Sequence, residues 1–157
     1  MKVKVDGWRS HIIFSSAHFI PDYERCGRLH GHSYAIHATV DGEMDEMGIV
    51  VDFGELKRAM KKIADELDHH MLIPEKGNLE ISVNNGEVEV VFDRKRYVFP
   101  EEDCKLLPIS SSSAESLALY VLERLIDEIK MPRNIKSVEI GVDEGFGQGA
   151  WISKKLR

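Results

Sequence analysis

The stretch Cys26-Gly27-Arg28-Leu29-His30-Gly31-His32-Ser33-Tyr34-Ala35-Ile36-His37-Ala38-Thr39-Val40-Asp41 decides how this chain is read. Its second half is a strand. Tyr34, Ile36, Ala38 and Val40 fall on every second residue, so they share one face of an extended segment at 32–41. His32 has the same parity, at the first residue of that strand. Residues two apart on a strand point the same way, so His30 and His32 can reach one ion, and Gly31 leaves room for close approach.

Upstream, residues 2–20 read as extended, through Val3, Val5, Ile12, Ile13 and Phe14. His18 lies at the end of that segment, where an antiparallel pairing would bring it beside His30 and His32. Three neutral imidazoles suit Zn2+ and leave one tetrahedral position open for water or substrate. A structural zinc normally takes four protein ligands, often with cysteine, so an open set of His18, His30 and His32 is a catalytic expectation. A His-x-His pair alone is weak evidence. Cupins also carry one, but they place a glutamate a few residues on, where this chain has Tyr34-Ala35-Ile36-His37-Ala38. Cys26, four residues before His30, strengthens the signal. A loop thiol beside a divalent cation and Arg28 is expected to have a lowered pKa. Two roles stay open for it: a fourth ligand closing a structural site, or an acid–base thiol next to the metal.

Downstream, Ile49 to Val51 reads as a short strand, and Asp52-Phe53-Gly54-Glu55 has the form of a capping box. Leu56, Met60, Ile63 and Leu67 then form a helical stripe, with Lys57, Arg58, Lys61, Lys62 and Asp65 on its wet side. The helix ends in Leu67-Asp68-His69-His70, where Asp68 can orient the adjacent imidazole for proton transfer. Residues 74–108 read as an inserted β-hairpin excursion, with Asn85-Gly86 as its turn. Ser112-x-x-Glu115 predicts a second cap, ahead of a helix bearing Leu117, Val121, Leu122, Leu125 and Ile129. Ile135–Val142 and Ala150–Leu156 read as final strands joined by a glycine-rich turn. The expected fold class is α+β, an antiparallel sheet with two helices on one face.

Composition bounds the rest. The chain has 157 residues, 43% apolar and 31% charged, which fits one compact domain spanning 1–157 and excludes a disordered chain or a fibre. No apolar run is long enough to cross a membrane. The N-terminus lacks the apolar stretch of a signal peptide, so a cytoplasmic location is expected. A net charge of −6 argues against general nucleic-acid binding. Cys26 and Cys104 are expected to be reduced thiols.

Taken together, Phe14-Ser15-Ser16-Ala17-His18, Cys26-Gly27-Arg28-Leu29-His30-Gly31-His32-Ser33, Val51-Asp52-Phe53-Gly54-Glu55-Leu56-Lys57 and Leu67-Asp68-His69-His70 resemble the 6-pyruvoyl-tetrahydropterin synthase superfamily. The likeness is strongest to its queuosine-pathway branch, the 6-carboxytetrahydropterin synthases. It covers residues 1–73 and 109–152. The resemblance implies a tunnelling-fold (T-fold) subunit that joins others into an oligomeric barrel, a trimer or a hexamer. Active sites would lie between subunits, so that Cys26 and Asp68-His69 can come from different chains.

The resemblance also implies a pterin triphosphate substrate, dihydroneopterin triphosphate, and a Zn2+ cofactor held by His18, His30 and His32. Cys26, Asp68 and His69 would be catalytic. Glu144 would bind the substrate's pterin ring, and Glu115 would be a second substrate contact. The serine run at 110–113 departs from the family's usual Pro-Thr, and the glycine-rich segment after Glu144 departs from its usual threonine-containing turn. Arg28 and Lys154 are candidate phosphate contacts.

Three outcomes remain open at this point. They are release of triphosphate and acetaldehyde to give a 6-carboxy product, triphosphate elimination alone, and a non-enzymatic zinc module closed by Cys26. Cys26 argues against a further outcome, side-chain cleavage to a hydroxymethyl pterin, whose enzymes in the resembling family often replace that cysteine.

Overall fold

The computed structural model describes residues 1–157. Its centre is the long strand anticipated from the alternation. β1 (Lys2–Val5), β2 (Ile13–His18) and β3 (His30–Gly42) come first, then α1 (Phe53–Leu67) and β4 (His70–Pro74). β5 (Glu80–Asn84), β6 (Glu87–Phe92), β7 (Lys95–Pro100) and β8 (Cys104–Leu107) follow, then α2 (Ala114–Glu128), β9 (Ile135–Glu144) and β10 (Gly149–Lys155). The main sheet runs β10-β9-β3-β2-β4-β8, and β1 pairs with the far half of β3. The sheet is open within one chain.

Tyr34, Ile36, Ala38 and Val40 are almost completely buried on the face that the helices cover. Leu56, Met60, Ile63 and Leu67 of α1 meet them there, with Leu117, Val121, Leu122 and Leu125 of α2. Each of the Val, Leu, Ile and Met side chains among them contributes about 1.5–3 kcal/mol by leaving water. The α1 cap is as expected: Asp52 accepts from the Gly54 and Glu55 amides. The α2 cap is one residue later than the sequence suggested. Ser113 accepts from the Ser116 amide, because the Ser112 side chain is buried and turned to the Phe19 carbonyl.

Four further expectations need correction. The extended segment at 2–20 is split into β1 and β2 by a turn over 7–12. Residues 49–51 form no strand, because side chains satisfy their backbone: Asp45 takes the Ile49 amide and Asn134 donates to the Val50 carbonyl. The main sheet is not wholly antiparallel, since β4 pairs parallel with β2 and with β8. Finally, the excursion is more than a hairpin. β5, β6 and β7 make a separate three-stranded antiparallel sheet, turning at Asn85-Gly86 with both residues at positive φ. Its inner face, Val88, Val90 and Phe92, packs on Phe19, Met71 and Ile73. Phe19 is fully buried, 4.8 Å from the Phe92 ring and 5.1 Å from that of Tyr97.

Candidate metal centre and active site

Strand register assembles the histidines. In the antiparallel β2–β3 pair, His18 lies directly opposite His30, and His32 is two residues along on the same face. Gly31 between them runs so close to the Ser16 carbonyl that a Cβ there would sit 2.9 Å from it. The ring centroids of His18, His30 and His32 stand 4.5–5.1 Å apart. Glu144, the last residue of β9, joins them, and the ligand atoms of all four lie within 4.8 Å of one another.

Hydrogen bonds set the tautomers. The Ser112 carbonyl accepts from His18 Nδ1 at 2.8 Å, and the Arg28 carbonyl accepts from His30 Nδ1 at 2.6 Å. A carbonyl can only accept, so both protons are on Nδ1 and both Nε2 atoms carry free lone pairs. Those two Nε2 atoms face each other at 3.1 Å. Two lone pairs at that distance repel unless a cation lies between them. A proton is a poor candidate: burial, with the nearby His30 and His32, outweighs the Ser112 carbonyl and lowers the His18 pKa to about 4. A divalent metal fits, because tetrahedral ligands at 2.0–2.1 Å from zinc stand about 3.3 Å apart.

His32 gives an independent indication. Its Nε2 is buried and only 2.7 Å from Glu144 Oε1, yet the angles do not make a hydrogen bond. Both atoms belong to the set of four possible ligands that lie within 4.8 Å of one another. Three imidazoles and a carboxylate suit zinc better than magnesium or calcium, which prefer all-oxygen sites. Tyr34 lies buried beside the cluster, and burial followed by the charge of Glu144 pushes its phenol well above the usual range, so it stays protonated.

The expected catalytic groups are not among the four converging ligands. Cys26 is exposed, in the loop between β2 and β3, and is not among the converging ligands. Its carbonyl accepts from the Ile20 amide, and Lys95 of β7 donates to the neighbouring Gly27 carbonyl at 2.5 Å. Asp68 ends α1 and binds two partners: Oδ1 accepts from the Ser15 amide and Oδ2 from His69 Nδ1, each at 2.7 Å. Burial opposes its charge, but the Ser15 amide and the His69 ring outweigh it and hold the carboxyl below its usual range. His69 adopts a left-handed backbone, φ 57°, uncommon for a residue with a side chain. The ring is held by Asp68 and is mostly exposed. A cleft of about 680 Å3 is lined by Gly31, His32, Ser33, His69 and Phe99 among others, so the His69 ring and one member of the cluster share a cavity. A larger groove, about 960 Å3, runs along Lys57, Arg58, Lys61 and Lys62 and contains none of the cluster.

Glu115 is exposed in the first turn of α2, outside the converging set. Lys154 is engaged by Glu123 at 3.0 Å. Sequence reasoning missed the Ser112 and Arg28 carbonyls, since a main-chain acceptor leaves no residue-type signal.

The model of the family described as 6-pyruvoyl tetrahydropterin synthase matches residues 9–155. A Methanocaldococcus jannaschii relative, provisionally named as a 6-carboxy-5,6,7,8-tetrahydropterin synthase, is 35% identical over 99% of this chain and 98% of its own. The Aquifex aeolicus protein named 6-carboxy-5,6,7,8-tetrahydropterin synthase is 27% identical over 85% of this chain and 80% of its own. Among solved structures, the 6-pyruvoyl tetrahydropterin synthase of Plasmodium vivax has a TM-score of 0.92 at 31% identity, covering 99% of this chain and 98% of that one. That of Plasmodium falciparum has a TM-score of 0.91 at 34% identity, with the same coverage. Residues 74–108, outside the stretches 1–73 and 109–152 that the motifs covered, lie within the matched span 9–155.

Proposed function

The chain belongs to the 6-pyruvoyl tetrahydropterin synthase family, and on that premise we propose that it is a zinc-dependent lyase. Its substrates are dihydroneopterin triphosphate and one water. Its products are 6-carboxy-5,6,7,8-tetrahydropterin, acetaldehyde and triphosphate, in a cytoplasmic route to deazaguanines such as queuosine. The observation that carries this reading is the pair of Nε2 lone pairs of His18 and His30 facing each other at 3.1 Å, with the His32 ring beside both.

His18, His30 and His32 hold the metal. When bound, zinc supplies a Lewis acid that lowers the pKa of the substrate's side-chain hydroxyls. Cys26, whose side chain is exposed, takes a proton from the substrate side chain as thiolate and returns it as thiol. His69, oriented by Asp68, moves a second proton. Glu144 accepts the pterin amino and ring N–H groups in a bidentate pair. Glu115 is a weaker candidate for a pterin contact. The open sheet, with β10 unpaired on its outer side, is compatible with a homo-oligomeric barrel, a trimer or hexamer with sites between subunits.

Product analysis on dihydroneopterin triphosphate tests the reaction. Acetaldehyde equimolar with turnover supports it. Turnover without acetaldehyde supports triphosphate elimination alone, the reading favoured by the likeness to the two Plasmodium synthases. Cys26→Ala tests the non-enzymatic zinc module: zinc retained with turnover lost contradicts a structural site closed by that thiol. Glu144 has a rival role as fourth metal ligand, because its carboxylate lies in the converging set. Glu144→Ala that keeps zinc and loses pterin binding supports the anchor.

A further inference from the structure

Behind Glu144, on the opposite face of β9, lies a polar cluster that the chemistry above does not use. Asp143 precedes Glu144 and points the other way, as strand alternation requires. Its Oδ2 accepts from Trp8 Nε1 at 2.8 Å. His37 Nε2 lies 3.1 Å from the same oxygen, an electrostatic contact off the line of a well-formed hydrogen bond. His37 Nδ1 accepts from the Gly7 amide at 3.1 Å, so the ring proton is on Nε2, facing the carboxylate. The Trp8 ring stacks on Phe146 of the β9–β10 turn, with centroids 4.2 Å apart.

The backbone is shaped around these contacts. A methyl group on Gly7 would collide with the Ile36 carbonyl, and one on Gly149 with the Asp143 carboxylate. The 7–12 turn can therefore press against β3, and Asp143 has room beside β10, only with glycine at both positions. The turn that follows Glu144 is held on its other side as well: the Gly145 amide donates to the Ser33 carbonyl, and the Glu144 amide to the Gln148 carbonyl. Trp8 thus grips both flanks of Glu144, Asp143 by its N–H and Phe146 by its ring.

The geometry points to Trp8 and Asp143 as positioning residues: an N-terminal latch that fixes the backbone from which Glu144 reaches the pterin. This rests on the reading of Glu144 as the pterin anchor. A carboxylate that must accept two N–H bonds in parallel tolerates little rotation of its strand end. Neither latch residue touches the reacting atoms, so their loss should weaken pterin binding while the chemical step and the metal remain.

The test uses the zinc-loaded full chain, with 7,8-dihydroneopterin as binding probe and dihydroneopterin triphosphate as substrate. Trp8→Phe keeps a ring against Phe146 but removes the donor; Phe146→Ala, at an exposed position, removes the stack without opening the core. Asp143→Asn retains an acceptor for the indole, and Asp143→Ala does not. Expected are a rise in probe Kd and in KM of about tenfold for Trp8→Phe and Asp143→Ala, with kcat and zinc content near those of the unaltered protein. Asp143→Asn should restore most of the loss. Trp8→Phe combined with Asp143→Ala should be no worse than Asp143→Ala alone, because that variant already removes the acceptor of the indole N–H. Unchanged Kd in the latch variants, with binding lost in Glu144→Ala, overturns the latch alone. Unchanged Kd in Glu144→Ala overturns the anchor, and the latch with it. Zinc loss in folded latch variants also overturns it, by showing that the cluster supports the metal rather than the pterin.

Discussion

The Ser112 main-chain carbonyl accepts a 2.8 Å hydrogen bond from Nδ1 of His18, across 94 residues of sequence. That contact ties the loop before α2 to a ring that is fully buried in β2. It fixes the proton on the outer nitrogen and leaves the inner one as a ligand, the usual second partner of a metal-binding histidine. The Ser112 hydroxyl holds the loop by donating to the Phe19 carbonyl at 3.2 Å.

Ser112→Ala therefore removes the clamp without touching the carbonyl itself. Stability should fall by about 1–2 kcal/mol, because the Phe19 carbonyl loses its buried donor. Zinc affinity should fall by about tenfold as the loop loosens. Urea unfolding and competition with a chelator measure the two effects.

The fold was largely legible because its cues were local. Alternation at Tyr34, Ile36, Ala38 and Val40 announced β3, and the stripe Leu56, Met60, Ile63 and Leu67 announced α1. What failed was long-range. Ile49 to Val51 looks like a strand, but Asp45 and Asn134 take its backbone groups. The parallel pairings of β4 join segments whose sequences carry no sign of a partner. At the site, the three histidines were readable from parity and spacing. Their carbonyl partners were not, since a main-chain acceptor leaves no residue-type signal, and the Trp8–Asp143 contact was not, since it joins segments far apart in the chain.

The two thiols should behave differently toward alkylation. Cys26 is exposed, whereas burial pushes the Cys104 thiol up to about 11, with Asp103 and Glu101 adding to the shift. Alkylation proceeds through the thiolate. Near pH 8 a maleimide should label one site quickly, and Cys26→Ala should remove that fast phase. Rapid modification of Cys104 in the folded protein would contradict the packing of β8.

The helices are joined by a bidentate ion pair. Arg124 of α2 donates to Glu66 of α1 at 2.8 and 3.0 Å, and to the Tyr120 hydroxyl at 2.8 Å. The Arg124 guanidinium holds the Glu66 carboxyl below its ordinary value of 4.5. A depressed folded pKa means that the unfolded chain takes up the proton first as pH falls. The stabilisation is thus complete above about 4.5 and is lost below it as pH passes through the folded value. Screening of this partly exposed pair limits it to about 1 kcal/mol. Glu66→Gln should lower the unfolding midpoint at neutral pH and flatten its fall on acidification; an unchanged acid profile would contradict the assignment.

X-ray absorption at the zinc edge, on protein loaded with one zinc per chain, tests the central claim most directly. The account predicts a first shell of nitrogen and oxygen at about 2.0–2.1 Å, with multiple-scattering features of three imidazoles and no sulfur. A sulfur shell near 2.3 Å would place Cys26 on the metal, and failure to bind zinc at all would leave His18, His30 and His32 without the role assigned to them.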